Sequence, residues 1–376
     1  MIYNFNFLAN FIFAVVTFVM GISFLSLNTP AKSGLNNYRI SLKLLAIAYF
    51  ALSFFAVFRI FNSQKSDTIE IISFIDLSVS SIQALLFTLT LIILINPGFM
   101  KLKRLFWFIL PFLSLTFVYL ISFFIYGDPK IISLDQIGSN FNHPTLWLRF
   151  LLLLYYLFQL CFYTYLFIRE SRHYNEEILN YFSDVVTLKL SWVQIAFYSA
   201  LAIGIIAIFA SVLSVQFEWM FTILFTFFYL GFAQEYIQYN RVFKIIENAI
   251  VNPVAEVVQT PVRNLIKSDW EHYKSEILKN KYYCQSGVNI EDLAKKLNIG
   301  RTTLSNLINR EESMNFNSWI NRLRIEDSKK LLIDNPEFTI AIISELVGYT
   351  EQANFSRQFK LITGESPLYW RKKAAS

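Results

Sequence analysis

The chain has 376 residues and a formal net charge of +6; 55% of the residues are hydrophobic and only 16% are charged. Soluble globular proteins carry about 25% charged residues, so this composition excludes a disordered chain, a collagen-like chain and a small disulfide-rich fold. The composition is not uniform along the chain, because its two parts differ. Residues 1–237 hold 34 of the 39 Phe and 24 charged residues, whereas residues 238–376 hold 36 charged residues. We therefore predict a membrane region joined near residue 238 to a soluble region.

Seven apolar runs of about 20 residues lie in the first region, and each is long enough to cross a bilayer as a helix. The predicted spans are 5–27, 42–61, 71–95, 105–126, 146–168, 192–214 and 217–237. The first run lacks a preceding basic stretch and a small-residue cleavage site, so it is not predicted to be a secretory signal.

The basic residues between the spans predict the orientation of the bundle. Segments 28–43, 96–104 and 169–191 together carry nine Lys and Arg, whereas the alternate segments carry two. Because cytoplasmic loops are enriched in Lys and Arg, the N-terminus is expected outside and residue 238 onward in the cytoplasm.

Three charged residues, Arg59, Asp76 and Arg149, fall near the outer ends of predicted spans. Charges at membrane depth are costly, and they are usually paired or functional. One interpretation is an outward pocket in which Asp76 and the two arginines meet an extracellular ligand. The other is a structural ion pair, with arginines that extend their head groups to the interface.

Cysteine and histidine give no support for a metal site or a cofactor site. Cys161 and Cys284 fall in different regions, and the three His are far apart in the chain without acidic residues at ligand spacing. The sequence also lacks the nucleotide-binding and catalytic motifs that would indicate an enzyme. We therefore predict no cofactor, no metal and no enzyme activity.

The segment 238–268 is predicted to link the two regions. It begins as a helical continuation and is then interrupted by Pro253 and Pro261. Two roles stay open for it, a stalk between the bundle and the soluble region or a contact in a dimer.

Residues 269–376, called the head below, are predicted to be helical throughout, with a first helix-turn-helix motif at residues 290–309. Asn289 is expected to cap its first helix, and a turn at 298–301 leads to a second helix at 302–309. This second helix exposes polar side chains that can reach base edges or phosphates. They are Thr302, Thr303, Ser305 and Asn306.

The same pattern recurs at residues 340–362. Thr339 should cap a helix at 340–347, Gly348 should supply the turn, and 352–362 should form a second reading helix ended by Gly364. A longer helix at 318–333 connects the two motifs. Its basic residues are predicted to face solvent, namely Arg322, Arg324, Lys329 and Lys330.

The run 348–371, Gly-Tyr-Thr-Glu-Gln-Ala-Asn-Phe-Ser-Arg-Gln-Phe-Lys-Leu-Ile-Thr-Gly-Glu-Ser-Pro-Leu-Tyr-Trp-Arg, resembles the C-terminal signature of the AraC/XylS family of transcription regulators. Leu-Ala-Lys-Lys-Leu at 293–297 and Asn-Arg-Leu-Arg-Ile at 321–325 resemble that family as well. The resemblance covers about residues 270–373. It implies a seven-helix unit whose two reading helices enter successive major grooves. One departure is Ser313, where the family often has glycine, and we expect strain at that turn.

The resemblance also implies which residues contact DNA. The family's base-contacting positions correspond to Thr302, Ser305, Asn306, Ala353, Asn354 and Arg357. Arg357 is predicted to read a base directly, since a bidentate Arg–guanine pair is the commonest specific contact. The alternative for Arg357 is a phosphate or an acidic residue on a neighbouring helix. Phosphate contacts are predicted for Arg301, Gln352, Ser356 and Lys360.

The stretch 181–192 is similar to one in membrane-tethered regulators of some Gram-negative bacteria. The predicted fold is therefore all-α, with a seven-transmembrane helix bundle at 1–237, a stalk at 238–268 and a soluble seven-helix head with two helix-turn-helix motifs. The implied function is signal-coupled transcription regulation from the bacterial inner membrane. The implied partners are double-stranded promoter DNA, the lipid bilayer, RNA polymerase, a second copy in a homodimer, and a sensed ligand that the sequence does not identify.

Two alternatives to this function stay open. In the first, a protease releases the head and the bundle is only an anchor. In the second, the bundle is a transporter with a regulatory DNA-binding tail. The second requires a polar path in mid-membrane, whereas the charges of the bundle lie near one interface.

Overall fold

The computed structural model of the chain describes residues 2–27, 36–63, 70–99, 101–183, 191–210, 218–238 and 267–375. In these ranges the chain is α-helical apart from two short 3₁₀ turns, Pro97–Phe99 and Tyr282–Cys284, and one isolated bridge between Phe182 and Asn289. The prediction of an all-α chain is confirmed for this part. Almost all of the predicted stalk, residues 238–268, lies outside the described residues.

The chain divides into two compact units. Unit 1 comprises Met1–Arg172 and Leu190–Val251, and unit 2 comprises His173–Lys189 and Asn252–Ser376.

Among the described residues of the first 237, seven long helices and one short helix begin. They are α1 Ile2–Ser26, α2 Asn36–Ser63, α3 Phe74–Ile95, α4 Leu102–Tyr126, α5 Asp135–Ser139, α6 Pro144–Tyr181, α7 Ser191–Ala210 and α8 Glu218–Gln238. Apart from α5, each is long and apolar enough to cross a bilayer, judged by length and composition. Residues 211–214 and 217 of the predicted spans lie outside the described residues. Elsewhere the helix ends agree with the predicted spans to within three residues, except that α2 begins six residues before residue 42 and α6 continues 13 residues beyond residue 168. Charged residues begin there, but neither Gly nor Pro occurs up to Tyr181 to end the helix.

Unit 1 is built by close packing of α1 against α2 and α8, and of α3 against α2 and α7. Polar side chains in this packing bond to backbone carbonyls of neighbouring helices. The Tyr49 hydroxyl donates to the Tyr229 carbonyl at 2.6 Å, and Ser53 donates to the carbonyl of Ala14 at 2.9 Å. Such bonds between helices stabilise the packing, because a buried polar group that lacks a hydrogen-bond partner is unfavourable.

Seven further helices lie in the described residues 267–375. They are α9 Lys267–Lys279, α10 Ile290–Lys296, α11 Arg301–Glu312, α12 Phe316–Asp334, α13 Ile340–Leu346, α14 Gln352–Thr363 and α15 Pro367–Ala375. The predicted caps are confirmed: Asn289 accepts from the Asp292 amide at 2.9 Å, and Thr339 accepts from the Ile342 amide at 3.2 Å. Gly364 ends α14 with a φ of +83°.

Each half of the head has its own buried apolar residues. Trp270 and Trp319 pack at 5.4 Å between ring centroids beside the first motif. The helices of the second motif pack around a buried cluster, which comprises Ile325, Leu332, Ile343, Val347, Tyr349, Phe355 and Phe359. This packing orients α11 and α14 with their polar faces outward.

Candidate nucleic-acid interface

The first predicted reading helix, α11, is held by one apolar side and presents polar groups on the other. Leu304, Leu307 and Ile308 are buried, whereas Thr302 and Asn306 are exposed. The remaining predicted contacts, Arg301, Thr303 and Ser305, are half-buried. Gly300 starts the helix without a side-chain cap, so the first amides of α11 keep hydrogen-bonding capacity for an anion such as a DNA phosphate.

The second predicted reading helix, α14, has the strongest division between apolar and polar faces. Phe355 and Phe359 are fully buried. The predicted contacts on the outer face are exposed or, for Ser356, half-buried; they are Gln352, Ala353, Ser356, Arg357 and Lys360. No side chain caps the start of α14 at Glu351, as is also the case for α11.

Asn354 differs from the other predicted base contacts because its side chain is only 5% exposed. Its Oδ1 accepts a hydrogen bond from Arg357 Nη2 at 3.0 Å. In this conformation Asn354 orients Arg357, and its own side-chain amide is too buried to contact a base. Arg357 forms no ion pair with an acidic residue in the part of the chain that the structure describes. Its guanidinium is therefore directed outward by an internal hydrogen bond.

The two motifs are fixed to one another through buried polar residues of α12. The prediction that Arg324 faces solvent is wrong, because its side chain is fully buried. Arg324 donates to the carbonyls of Tyr283 at 2.7 Å and Gln285 at 2.9 Å, and its guanidinium lies 5.1 Å from the Tyr349 ring centroid. One turn earlier, Asn321 accepts a 2.7 Å hydrogen bond from the Tyr349 hydroxyl. These bonds join the turn of the second motif to the first half of the head.

Gly348 lies at the tightest point of this junction. Its φ is +93°, and a Cβ added there would lie 2.4 Å from the carbonyl oxygen of Cys284. Only glycine fits both the backbone conformation and the space.

Asp327, on α12, holds the 3₁₀ turn Tyr282–Cys284 in place. The Tyr283 hydroxyl donates to its carboxylate at 2.7 Å, and Lys281 forms an ion pair with it at 2.9 Å. Burial acts to raise the pKa of Asp327, but the hydrogen bonds from Tyr283 and Lys281 outweigh burial and lower that pKa. The carboxylate therefore stays charged and supports the turn against which Gly348 packs.

Residues 173–183, called the strap below, contact the first motif within unit 2, and sequence reasoning missed this contact. The Tyr181 hydroxyl donates to the Glu291 carboxylate at 2.6 Å, and the Ser183 amide donates to the Val288 carbonyl at 3.2 Å. Asn317 Nδ2 donates to the Ser183 carbonyl at 2.7 Å. The Arg301 guanidinium lies 5.4 Å from the Tyr181 ring centroid, so the strap reaches the start of the predicted reading helix α11.

The three residues predicted to form an outward pocket do not all meet. Arg59 and Asp76 line one cavity of unit 1 together with Glu218, whereas Arg149 does not line it. Arg149 is buried and forms ion pairs with Glu70 and Asp128. Among the described residues, no group of three metal-ligating side chains occurs.

The head is similar in sequence to known proteins. Residues 293–373 match the family model described as a helix-turn-helix domain. The Msm operon regulatory protein of Streptococcus mutans is 35% identical over 88 residues, which is 23% of this chain and 31% of that protein. The raffinose operon transcriptional regulatory protein RafR of Pediococcus pentosaceus is 33% identical over 87 residues, again 31% of its length. The arabinose operon regulatory protein of Escherichia coli is 26% identical over 118 residues, 31% of this chain and 38% of that protein.

Two solved structures also match the head region. One is the C-terminal domain of AraT, a response regulator from Geobacillus stearothermophilus, at 32% identity and a TM-score of 0.26, covering 28% of this chain and 84% of that chain. The other is a protein of unknown function from Listeria innocua, at 30% identity and a TM-score of 0.25, covering 27% of this chain and 93% of that chain.

The matched region spans about a third of the length of the curated relatives. Both helix-turn-helix motifs fall almost entirely within it. The helix-turn-helix family model and these relatives, which are named as regulatory proteins, support an AraC/XylS-type DNA-binding region in the head.

Proposed function

We propose that this chain is a sequence-specific transcription regulator that binds promoter DNA while tethered to the bacterial inner membrane. The proposal is carried by one observation. A head that matches helix-turn-helix regulators is covalently continuous with seven helices long and apolar enough to span a bilayer. The excess of Lys and Arg in alternate loops supports a multi-pass arrangement with the head in the cytoplasm, where promoter DNA lies.

Helix α6 and the strap supply the route by which a signal would reach the head. The 38 residues of α6 measure about 57 Å, whereas a bilayer core of about 30 Å needs roughly 20 residues. The charged part of α6 therefore extends beyond the lipid, and its last nine residues, 173–181, form most of the strap. A change in the bundle that moves α6 would also move Tyr181.

The strap would act on DNA binding through Arg301. A guanidinium held over the Tyr181 ring is partly withdrawn from a phosphate, because both interactions use the same cation. Displacement of the strap would release Arg301 to the DNA backbone. The sensed signal must then bind two states of the bundle unequally in order to shift this equilibrium.

Further parts of the proposal concern partners. Helix-turn-helix proteins commonly bind DNA as dimers on paired half-sites, which supports a homodimer. Contact with RNA polymerase completes the proposed regulatory complex. The proposal requires no cofactor.

The full chain in lipid nanodiscs provides the test. Labelled promoter fragments, taken from upstream of its own coding region, are titrated at several salt concentrations. We expect salt-sensitive binding with at least a thousandfold preference for one fragment over random DNA, the lower end of the range for specific DNA-binding proteins. Equal affinity for all fragments would contradict sequence-specific regulation.

A further inference from the structure

A cavity of about 200 Å³ lies within unit 1, among α1, α2, α3, α6, α7 and α8. Its wall is mainly apolar and aromatic, with Phe13, Phe87 and Tyr229 among the lining residues. An apolar cavity of about 150 Å³ is sufficient to bind benzene. The volume of this cavity therefore suits a ligand that consists of one aromatic ring and a short chain.

One end of the cavity carries an unbalanced negative charge. Arg59 and Glu218 form an ion pair at 2.7 Å and neutralise one another. The third ionisable lining group with a full charge is Asp76, whose carboxylate has no ion pair with any residue in the described ranges. The cavity therefore has a formal charge of −1 and complements a cation.

The buried charge of Arg149 provides a contrast within the same unit. Two carboxylates, those of Glu70 and Asp128, pair with it. Arg149 is thus a satisfied structural charge, whereas Asp76 faces a cavity with no such partner described. A charge at membrane depth that lacks a structural partner is costly, and such groups commonly bind a ligand or an ion.

Gln83 supplies a second polar group in the lining of the cavity. Its side chain is 7% exposed, and its Nε2 donates to the Ala48 carbonyl at 2.9 Å. Its Oε1 is buried and accepts no hydrogen bond from any described residue. An unsatisfied buried acceptor is unfavourable, so a hydrogen-bond donor on a ligand would stabilise this site.

Asp76 and Gln83 are seven residues apart on α3 and therefore lie on nearly the same face, two turns from each other. At 1.5 Å per residue their separation along the helix axis is about 10 Å. One ligand atom cannot reach both groups. A ligand that satisfies both needs a cationic group at one end and a donor at the other.

We propose that this cavity binds a small aromatic amine that carries a second hydrogen-bond donor at its distal end. The protonated amine meets Asp76, the ring packs among the aromatic side chains, and the distal donor meets the Oε1 of Gln83. The inference rests on the proposed function only in taking the cavity as the signal-binding site of the regulator.

Three probe molecules of similar size test the proposal: tyramine, phenethylamine without the distal hydroxyl, and 3-(4-hydroxyphenyl)propionate with a negative charge in place of the amine. Binding to the full chain in nanodiscs is measured by calorimetry. We expect tyramine to bind at least about tenfold more tightly than either comparison molecule, as the loss of one hydrogen bond or charge pair requires. Equal binding of the amine and the acid, or no binding of tyramine, would overturn the proposal.

Variants assign the two contacts. Asp76→Asn should erase the preference for the amine over the acid, and Gln83→Met should erase the preference for tyramine over phenethylamine. Asp135→Asn, at an exposed site on α5, removes the same charge elsewhere and should leave both preferences intact. Retention of both preferences in Asp76→Asn and Gln83→Met would contradict the assigned site.

The same nanodisc preparation is titrated with promoter DNA, which separates the two proposals. DNA binding without tyramine binding would overturn the ligand site alone. Tyramine binding without sequence-selective DNA binding would overturn the proposed function and leave the ligand site standing.

Discussion

Replacement of Arg357 by alanine is the sharpest test of direct base reading by α14. The side chain is exposed and makes one internal hydrogen bond, 3.0 Å to Asn354. The packing of α14 is carried instead by Phe355 and Phe359, both fully buried. The substitution therefore removes a directed guanidinium and leaves the apolar contacts of the helix in place.

The magnitude follows from these contacts. Loss of one part-buried hydrogen bond should lower the free energy of unfolding by no more than about 1 kcal/mol. Loss of a bidentate contact with a base should cost about 1–3 kcal/mol of DNA binding, a reduction in affinity of roughly 5- to 150-fold. The free energy of DNA binding should therefore fall by more than the free energy of unfolding.

Fluorescence anisotropy with the full chain in nanodiscs provides the assay. Affinity is measured for the preferred promoter fragment and for fragments changed at single base pairs. For Arg357→Ala, one of these changes should cost nothing further, because the contact that read that base pair is already absent. Lys279→Ala, an exposed change of the same charge on α9 outside both motifs, should keep the full sequence preference.

A different pattern would refute the reasoning. In that pattern, Arg357→Ala weakens binding to all fragments equally and reduces the slope of log affinity against log salt concentration by about one. Arg357 would then contact a phosphate of the DNA backbone and read no base.

Three further predictions concern the turns and the strap. Gly348→Ala should destabilise the head by roughly 2–5 kcal/mol, because φ is +93° and the added Cβ would lie 2.4 Å from the backbone oxygen of Cys284. Gly364→Ala should cost only about 1 kcal/mol, because φ is +83° there but the added Cβ would meet open space. Hydrogen exchange of the head amides in the full chain measures both, and equal costs would contradict the close contact. Ser313→Gly should raise the stability of the head by up to about 1 kcal/mol, because Ser313 ends α11 with a φ of +55°. Hydrogen exchange measures this change as well, and a loss of stability would show that no backbone strain is stored at residue 313. Tyr181→Ala should strengthen promoter binding by roughly three- to tenfold and steepen its salt dependence, as expected when a cation–π contact no longer holds Arg301. Tyr181→Phe keeps the ring but loses the hydrogen bond to Glu291, so it should change promoter binding less than Tyr181→Ala does. Weaker DNA binding by Tyr181→Ala would show that the strap supports α11 and does not restrain it.

Much of the head could be predicted because its signals are local. Asn289 and Thr339 cap helices that begin at the next residue, and Gly364 ends α14 through its own backbone conformation. The expected strain at Ser313 is likewise visible as a left-handed φ. Each of these features depends on a few neighbouring residues, so a single sequence is enough to place it.

The features that were missed depend on partners far away in the chain. Arg324 follows the polar pattern of an exposed helix position, but its hydrogen-bond acceptors are carbonyls about 40 residues earlier. The contact of Tyr181 with Glu291 joins residues 110 positions apart. Helical periodicity carries no information about either pairing. For the same reason the sequence grouped Arg149 with Arg59 and Asp76, although its acidic partners, Glu70 and Asp128, lie in other segments.

The most direct test of the central claim asks which form of the chain is bound to DNA in cells. Cells are crosslinked, membranes are isolated by flotation, and the DNA attached to the chain is sequenced while its length is read on an immunoblot. Our account predicts that specific promoter fragments float with the intact 44.0 kDa chain. Recovery of those fragments only with a shorter, non-floating form, or of floating DNA without enrichment of any sequence, would contradict regulation from the membrane.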